Sequence, residues 1–229
     1  MKPGCLACDY DGTLAHDGNV TFETLAALDR FGEAGGCLIL VTGREIPDLQ
    51  SVCSVLDRFE WIVAENGALL YRPADGFSRL LCPAASAELA QKMGEAGATP
   101  LSVGRAIIAT REPYHITAVE LIKQLGLEVQ IIFNKGAVMI LPTGINKATG
   151  LTAALSQMNV AAENVVGIGD AENDHALLSM CGIGVAVSNS VPMLKQHADL
   201  VTKGARGDGV IEIIDRIIAG DLASIRHQL

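Results

Sequence analysis

Aromatic residues make up only 4% of this chain, with one tryptophan, three tyrosines and five phenylalanines. Its core must therefore be built from Val, Ile, Leu and Ala, which suits a buried parallel sheet flanked by helices. Charge is also scarce, at 19%, and leans acidic: 17 Lys and Arg against 26 Asp and Glu, for a net charge of −9. No basic patch is visible, which argues against a nucleic-acid binder. No apolar run reaches the length of a membrane span. The N-terminal Met1-Lys2-Pro3-Gly4 leads into a strand interrupted by Asp9 and Asp11 and has no signal-peptide core. The expectation is a soluble, cytoplasmic protein with neither nucleic acid nor membrane as partner. Disorder is excluded from the other direction, by 49% hydrophobic residues over a length of 229. An acidic chain repels phosphorylated compounds at long range. Any phosphate site in it must be locally positive, through backbone N–H groups, a lysine or a metal ion.

Six cysteines are spread along the chain, at Cys5, Cys8, Cys37, Cys53, Cys82 and Cys181. Cys5 and Cys8 form a CxxC, but no second CxxC completes a zinc site. Most lie in apolar stretches and read as small buried hydrophobes with free thiols, which points to a reducing compartment.

Strand-like and helix-like stretches alternate at first: strand 5–8, helix 21–34, strand 37–41, helix 46–56 with Pro47 in its first turn, strand 61–64. This is the signature of a doubly wound parallel sheet. The pattern changes after about Tyr71. A helix at 86–94, a strand at 106–110 and a helix at 114–125 precede two strands, 129–133 and 137–141, joined by Asn134-Lys135-Gly136. Strands that close must form an antiparallel hairpin, which sits awkwardly inside a parallel sheet. Residues 79–142 are therefore expected to form a small α+β cap inserted into a discontinuous α/β, Rossmann-like core of residues 1–78 and 143–229. The core pattern resumes with helix 147–158, strand 165–168, helix 172–180, strand 184–187, helix 191–197, strand 200–202 and helix 209–219. Residues 220–229 show no partner and suit a linker to a further C-terminal domain; a homodimer is the other assembly open on sequence.

In open α/β sheets, ligands bind beyond the carboxyl ends of the strands. Every such end in the larger unit is polar: Asp9-Tyr10-Asp11-Gly12-Thr13, Thr42-Gly43-Arg44, Glu65-Asn66-Gly67, Gly169-Asp170-Ala171-Glu172-Asn173-Asp174 and Ser188-Asn189-Ser190. Helix capping explains one acid per strand end, but two of these ends carry a pair. Bringing Asp9, Asp11, Asp170 and Asp174 to one rim is costly unless a cation sits among them, and oxygen ligands suit Mg²⁺. Thr42 offers a hydroxyl, Gly12, Thr13 and Gly43 offer N–H groups to an anion, and Lys147, in the first turn of its helix, can reach the same rim. Together these groups meet what phosphoryl transfer asks of a protein.

In this order, Asp9-Tyr10-Asp11-Gly12-Thr13, Thr42-Gly43-Arg44, Lys147 and Gly169-Asp170 with Asn173-Asp174 resemble the four motifs of the haloacid dehalogenase superfamily. The resemblance covers the chain to about residue 219. With Asn66-Gly67-Ala68, the stretch from Gly184 to Asn189 and the placement of the cap, it resembles the Cof-type branch, which includes sugar-phosphate, sucrose-phosphate and phosphoglycolate phosphatases. The resemblance implies a Mg²⁺-dependent phosphatase acting on a small phosphorylated metabolite. Asp9 would be the nucleophile, forming an aspartyl-phosphate, and Asp11 the general acid and then base. Asp9, the Asp11 carbonyl and Asp170 would ligate the metal, with Asp174 supporting them. Thr42, Lys147 and Asn66 would bind the phosphoryl group, and Asn173 would orient the phosphate or a metal-bound water. Arg44 would either brace the rim or contact the substrate. The chain departs from the branch at Ala148, where Gly is usual, at Cys8, and in a short cap. A phosphomutase sharing the same intermediate, and a low-turnover module sensing a phosphometabolite, are the rival readings. His16, His115, His175, His197 and His227 show no metal spacing, and Gly167-Ile168-Gly169 lacks the third glycine of a dinucleotide fingerprint. The Asn134-Lys135-Gly136 tip and Arg111-Glu112 are candidates to face the site, though a plain turn explains the tip equally well.

Overall fold

The computed structural model describes residues 4–53 and 55–221. The first half of the larger unit runs β1 (Cys5–Asp9), α1 (Phe22–Glu33), β2 (Cys37–Val41), α2 (Ile46–Val52), β3 (Trp61–Ala64), β4 (Leu69–Arg72) and β5 (Phe77–Leu80). The inserted part is α3 (Ala87–Glu95), β6 (Ser102–Val103), β7 (Ile108–Arg111), α4 (His115–Leu125), β8 (Val129–Asn134) and β9 (Ala137–Pro142). The chain then returns through α5 (Lys147–Met158), β10 (Val165–Gly169), α6 (His175–Met180), β11 (Ile183–Ala186), α7 (Pro192–His197), β12 (Leu200–Val201) and α8 (Gly207–Ala219).

Eight strands form one sheet in the order β12-β11-β10-β1-β2-β3-β4-β5. All pairs from β12 to β3 are parallel, and β4 and β5 close the edge as an antiparallel hairpin. The side-chain period of two splits the strand residues between two cores. Leu6, Cys8, Leu40, Ile62 and Ile168 pack with Ala27 and Phe31 of α1, Leu49 of α2 and Ile213 of α8. Cys5, Ala7, Ile39, Val41 and Val63 pack with Leu151 of α5, Leu177 of α6 and Leu194 of α7. Strands buried on both faces account for the near-continuous apolar runs in the sequence. Each buried Leu or Ile contributes about 1.5–3 kcal/mol of transfer free energy.

The inserted sheet has the order β6-β7-β9-β8, antiparallel throughout. Ile108 and Ile140 face α3 and α4 through Leu89, Met93 and Ala118. The opposite face, with Ile107, Met139 and Leu141, packs on Ala68 of the core. The hairpin tip between β8 and β9 carries positive φ at Lys135 (47°) and Gly136 (84°), the combination a two-residue type I′ turn needs.

Several expectations change. The helix expected over 46–56 ends at Val52, with a separate 3₁₀ turn at Leu56–Arg58. Strands β4, β5 and β6 were not foreseen. Arg79 and Leu80, assigned from sequence to the inserted part, pair with β4 in the larger sheet. The cysteines are not all free thiols: Cys5 and Cys37, opposite each other in the β1–β2 register, form a disulfide with Cα atoms 4.6 Å apart. Cys5 and Cys8 of the CxxC point to opposite faces of the sheet, in line with its being set aside as a metal or redox pair. No helix among the described residues is long and apolar enough to cross a membrane. The expected linker after Gly220 lies outside the described residues apart from Asp221.

Candidate active site

The parallel strands β10, β1, β2 and β3 are neighbours and end on one edge, so the loops that follow them meet there. Asp9 closes β1 and is 5% exposed. The chain then turns back tightly, with the N–H groups of Leu14 and Ala15 donating to the Tyr10 carbonyl. Gly12 holds this turn with φ of 82°, and a Cβ there would run into the Asp170 carboxylate.

Lys147 is the first residue of α5 and is fully enclosed. A reciprocal cap fixes its position: Asn146 Oδ1 accepts from the Thr149 N–H at 3.0 Å, and the Asn146 N–H donates to Thr149 Oγ1 at 3.0 Å. The helix start also lies against the backbone of Gly67, where a Cβ would collide with the Asn146 carbonyl. From there the ammonium reaches Asp9 Oδ1 and Asp174 Oδ1, each at 2.5 Å. Asp174 Oδ2 accepts the N–H groups of Asp170 and Ala171, both at 2.9 Å. Asp174 thus holds the lysine with one oxygen and the loop with the other. Asp170, also fully buried, pairs through Oδ2 with Lys135 of the inserted hairpin and accepts from Asn189 Nδ2 at 3.2 Å. Asp9, Asp170 and Asp174 each offer an oxygen within 4.8 Å of the others.

The electrostatics call for a cation. Burial pushes the Asp9 carboxyl well up and Asp174 pushes it further, with Lys147 pulling back. Asp170 is also raised by burial, against the pull of Lys135. At Lys147 burial alone would lower the pKa, but Asp174 and Asp9 outweigh it and the ammonium is held above its ordinary value. Four buried polar atoms around the cluster have no partner in the protein: Asp170 Oδ1, Thr13 Oγ1, Asn66 Nδ2 and Asn173 Oδ1. Orphans of this kind cost about 1–3 kcal/mol each. Two are acceptors suited to a hard cation or its water, and two can donate to an anion. The donor set fits a magnesium ion and a phosphoryl group side by side.

The remaining residues singled out from the sequence fall around this centre. Thr42 is buried, and its hydroxyl accepts the Arg44 N–H at 3.1 Å. Gly43 lies beneath the Met139 sulfur of the inserted sheet. Asn66 and Asn173 bond to each other at 2.9 Å. Arg44 is engaged away from the three-acid cluster: it grips both carboxylate oxygens of Asp11, at 2.7 and 2.8 Å, and Asp48 at 2.6 Å. The Asp11 side chain accordingly stands at the partly exposed rim, 44% accessible.

Three residues outside the sequence-based site set complete the picture. Asn189, after β11, ties the Gly12 carbonyl (2.8 Å) to Asp170. Lys135 enters from the inserted hairpin, and its N–H also donates to Glu172 at 3.1 Å. Glu65 is buried, and its carboxylate receives three consecutive N–H groups, from Arg105 (3.0 Å), Ala106 (2.7 Å) and Ile107 (3.1 Å). The strand-end rule pointed to Asn189 and Glu65, but nothing local in the sequence separates such acids and amides from caps.

A family model described as haloacid dehalogenase-like hydrolase matches residues 6–99 and 97–214. The chain is 30% identical over 222 residues to a protein of Saccharolobus solfataricus named phosphoglycolate phosphatase 2, covering 94% of this chain and 93% of that one. It is also 30% identical to a phosphoglycolate phosphatase of Methanothermobacter thermautotrophicus, covering 93% of this chain and 98% of the relative. The fold superposes on a haloacid dehalogenase-like hydrolase from Bacteroides thetaiotaomicron with a TM-score of 0.78 at 21% identity, covering 94% of this chain and all of the other.

Proposed function

The chain belongs to the haloacid dehalogenase-like hydrolase family and is a phosphatase, and from that premise we propose that it hydrolyses a small phosphomonoester with the help of Mg²⁺. The supporting observation is the Lys147 ammonium held between Asp9 and Asp174, beside Asp170 and the four unpartnered buried atoms. In this reading Lys147 fixes Asp9 by Oδ1, and Asp9 Oδ2 is the oxygen that attacks phosphorus. The P–O bond to the leaving alcohol breaks as the Asp9–phosphorus bond forms, and Asp11 gives the alkoxide its proton. Asp11 then takes a proton from water as that water attacks phosphorus, releasing inorganic phosphate and restoring Asp9. Thr13 Oγ1 and Asn66 Nδ2 donate to phosphoryl oxygens, together with the Lys147 ammonium; the Gly12 and Thr13 N–H groups, expected from the sequence to serve an anion, instead donate to the Ala15 and Tyr10 carbonyls. Arg44 sets where the Asp11 carboxyl stands at the rim. Asp9, Asp170 and the Asp11 carbonyl would hold the magnesium ion, with Asp174 bracing the loop behind them. The ion, when bound, would draw off charge that builds on the phosphoryl oxygens. The inserted four-stranded unit acts as a cap over this edge. The substrate is a phosphorylated metabolite such as phosphoglycolate or a sugar phosphate, and the names of the relatives favour the first. The working compartment in this reading is the cytoplasm, although the Cys5–Cys37 disulfide takes away the free-thiol argument for it.

The test is phosphate release from a panel of phosphoglycolate, sugar phosphates and p-nitrophenyl phosphate, with Mg²⁺ and with excess EDTA. Release that needs Mg²⁺ and is lost with chelator is expected. Undiminished release in EDTA would remove the metal from the account.

Gly12→Ala addresses the same site from the backbone. The new Cβ meets the Asp170 carboxylate, and φ of 82° is unfavourable for alanine. Mg²⁺ affinity, read by calorimetric titration, is expected to fall about 10- to 100-fold, the range seen when partners of metal ligands are disturbed. Unchanged affinity would mean that Asp170 does not ligate.

A further inference from the structure

Beyond the phosphoryl pocket, the surface that the inserted sheet turns toward the core is chemically uneven. Met139, Ala109 and Ile132 are register partners across β7, β9 and β8 and share that apolar face. Met139 lies over Gly43, directly above the strand-end loops. At the tip of the same hairpin the chemistry changes. Lys135, its side chain 43% accessible, extends its ammonium to the buried Asp170 carboxylate. Arg111 pairs with Ala137 in the β7–β9 register, and alternation along β7 puts it on the same face as Ala109. The Glu112 N–H donates to the Gly136 carbonyl at 3.1 Å, tying this end of β7 to the tip. Arg111 makes no ion pair among the described residues.

We propose that Lys135 and Arg111 form a cationic rim that reads a carboxylate on the leaving group, so that this phosphatase selects short phosphoesters of hydroxy acids. The proposal rests on the phosphatase reading above. A sugar would present several hydroxyls, each needing a partner, and the face between the pocket and the rim offers a thioether and aliphatic carbons instead. A short acid ester asks for a narrow apolar passage ending in positive charge. The Arg111 guanidinium supplies a planar fork that fits a carboxylate, and Lys135 supplies a mobile point charge on a flexible stem. Charge balance agrees: a substrate carrying both phosphate and carboxylate enters an acidic protein, and cations on the cap offset that repulsion at the site of entry. Were magnesium bound at Asp170, the Lys135 ammonium would be released from that carboxylate and could turn to the substrate. Lys135 in this account is a specificity residue and leaves the chemistry to the core.

The experiment compares phosphoglycolate with ethyl phosphate, which has a methyl group where the acid has its carboxylate. Wild type is expected to favour phosphoglycolate in kcat/KM by about 10²-fold, because its carboxylate makes charge-assisted hydrogen bonds to both cations that a methyl group cannot make. Lys135→Met and Arg111→Met should each reduce that preference at least about tenfold, mainly through KM, and Lys135→Arg should restore part of it. Circular dichroism and melting temperature check that the variants fold. A preference equal in wild type and both methionine variants overturns the proposal, as does a wild type that hydrolyses the two esters equally. A wild type that releases phosphate from neither ester nor from p-nitrophenyl phosphate overturns the phosphatase reading itself, a result distinct from lost preference.

Discussion

Asp9→Asn is expected to lower kcat for phosphate release by at least about 10⁴-fold, the scale on which a covalent nucleophile is lost. The fold should survive, and for a reason visible in the site. Asp9 is buried beside Asp174 and Asp170, and this holds its carboxyl well above the ordinary range. A raised carboxyl pKa means that the folded protein disfavours the ionised form. Asparagine keeps the shape and removes that charge, so the melting temperature of the metal-free variant should stay level or rise. Lys147 keeps Asp174 as its partner. Steady-state kinetics with thermal melts provide both readouts. An Asp9→Asn enzyme that turns over at a tenth of the wild-type rate would refute the nucleophile assignment.

Lys147→Met should damage both stability and rate. The lysine is 1% exposed and is the only cation in contact with Asp9 or Asp174 among the described residues. Removing one partner of a buried ion pair costs about 3–5 kcal/mol, because the carboxylates left behind have neither water nor counter-charge. For a chain of this size that corresponds to a fall in melting temperature of roughly 6–20 °C. The loss of a positive donor at the phosphoryl group should lower kcat by about 10²- to 10³-fold on top of that. Measured below the variant's own transition, the two effects separate. A variant that melts early yet hydrolyses normally would make Lys147 a structural counter-ion only. Excess Mg²⁺ should recover part of the melting temperature, since the ion restores positive charge beside Asp9.

The grouping of these residues was legible in the sequence before the fold. Asp9, Asp11, Lys147, Asp170 and Asp174 are polar residues at the ends of apolar runs, and chemistry dictates their type and their order along the chain. The parallel strands could be read for a similar reason: β1, β2, β3 and β10 are buried on both faces and leave long apolar signatures. Strand β5 was invisible because its residues, Phe77 to Leu80, are mostly exposed at the sheet edge and show no apolar alternation. Strand β6 is two residues long, too short for any periodicity. The disulfide could not be inferred, because it depends on which strands become neighbours, and spacing along the chain carries no such information. Arg44 was left between two roles because its partner, Asp48, is a single turn away on α2 and looks like an ordinary helix acid. Lys135 had the composition of a plain turn, and only the meeting of the two sheets brings its amine to Asp170.

The clasp between Glu65 and the amides of residues 105–107 has a mechanical consequence. A buried carboxylate saturated by three N–H groups is expensive to detach, whereas the hairpin tip is tethered by one flexible amine and one amide. Opening should therefore swing the upper layer around the Glu65 corner, like a page turning on its spine, and widen first along the margin that carries residue 135. Entry of the ester and exit of phosphate would share that single aperture, while the corner opposite stays shut through every turnover.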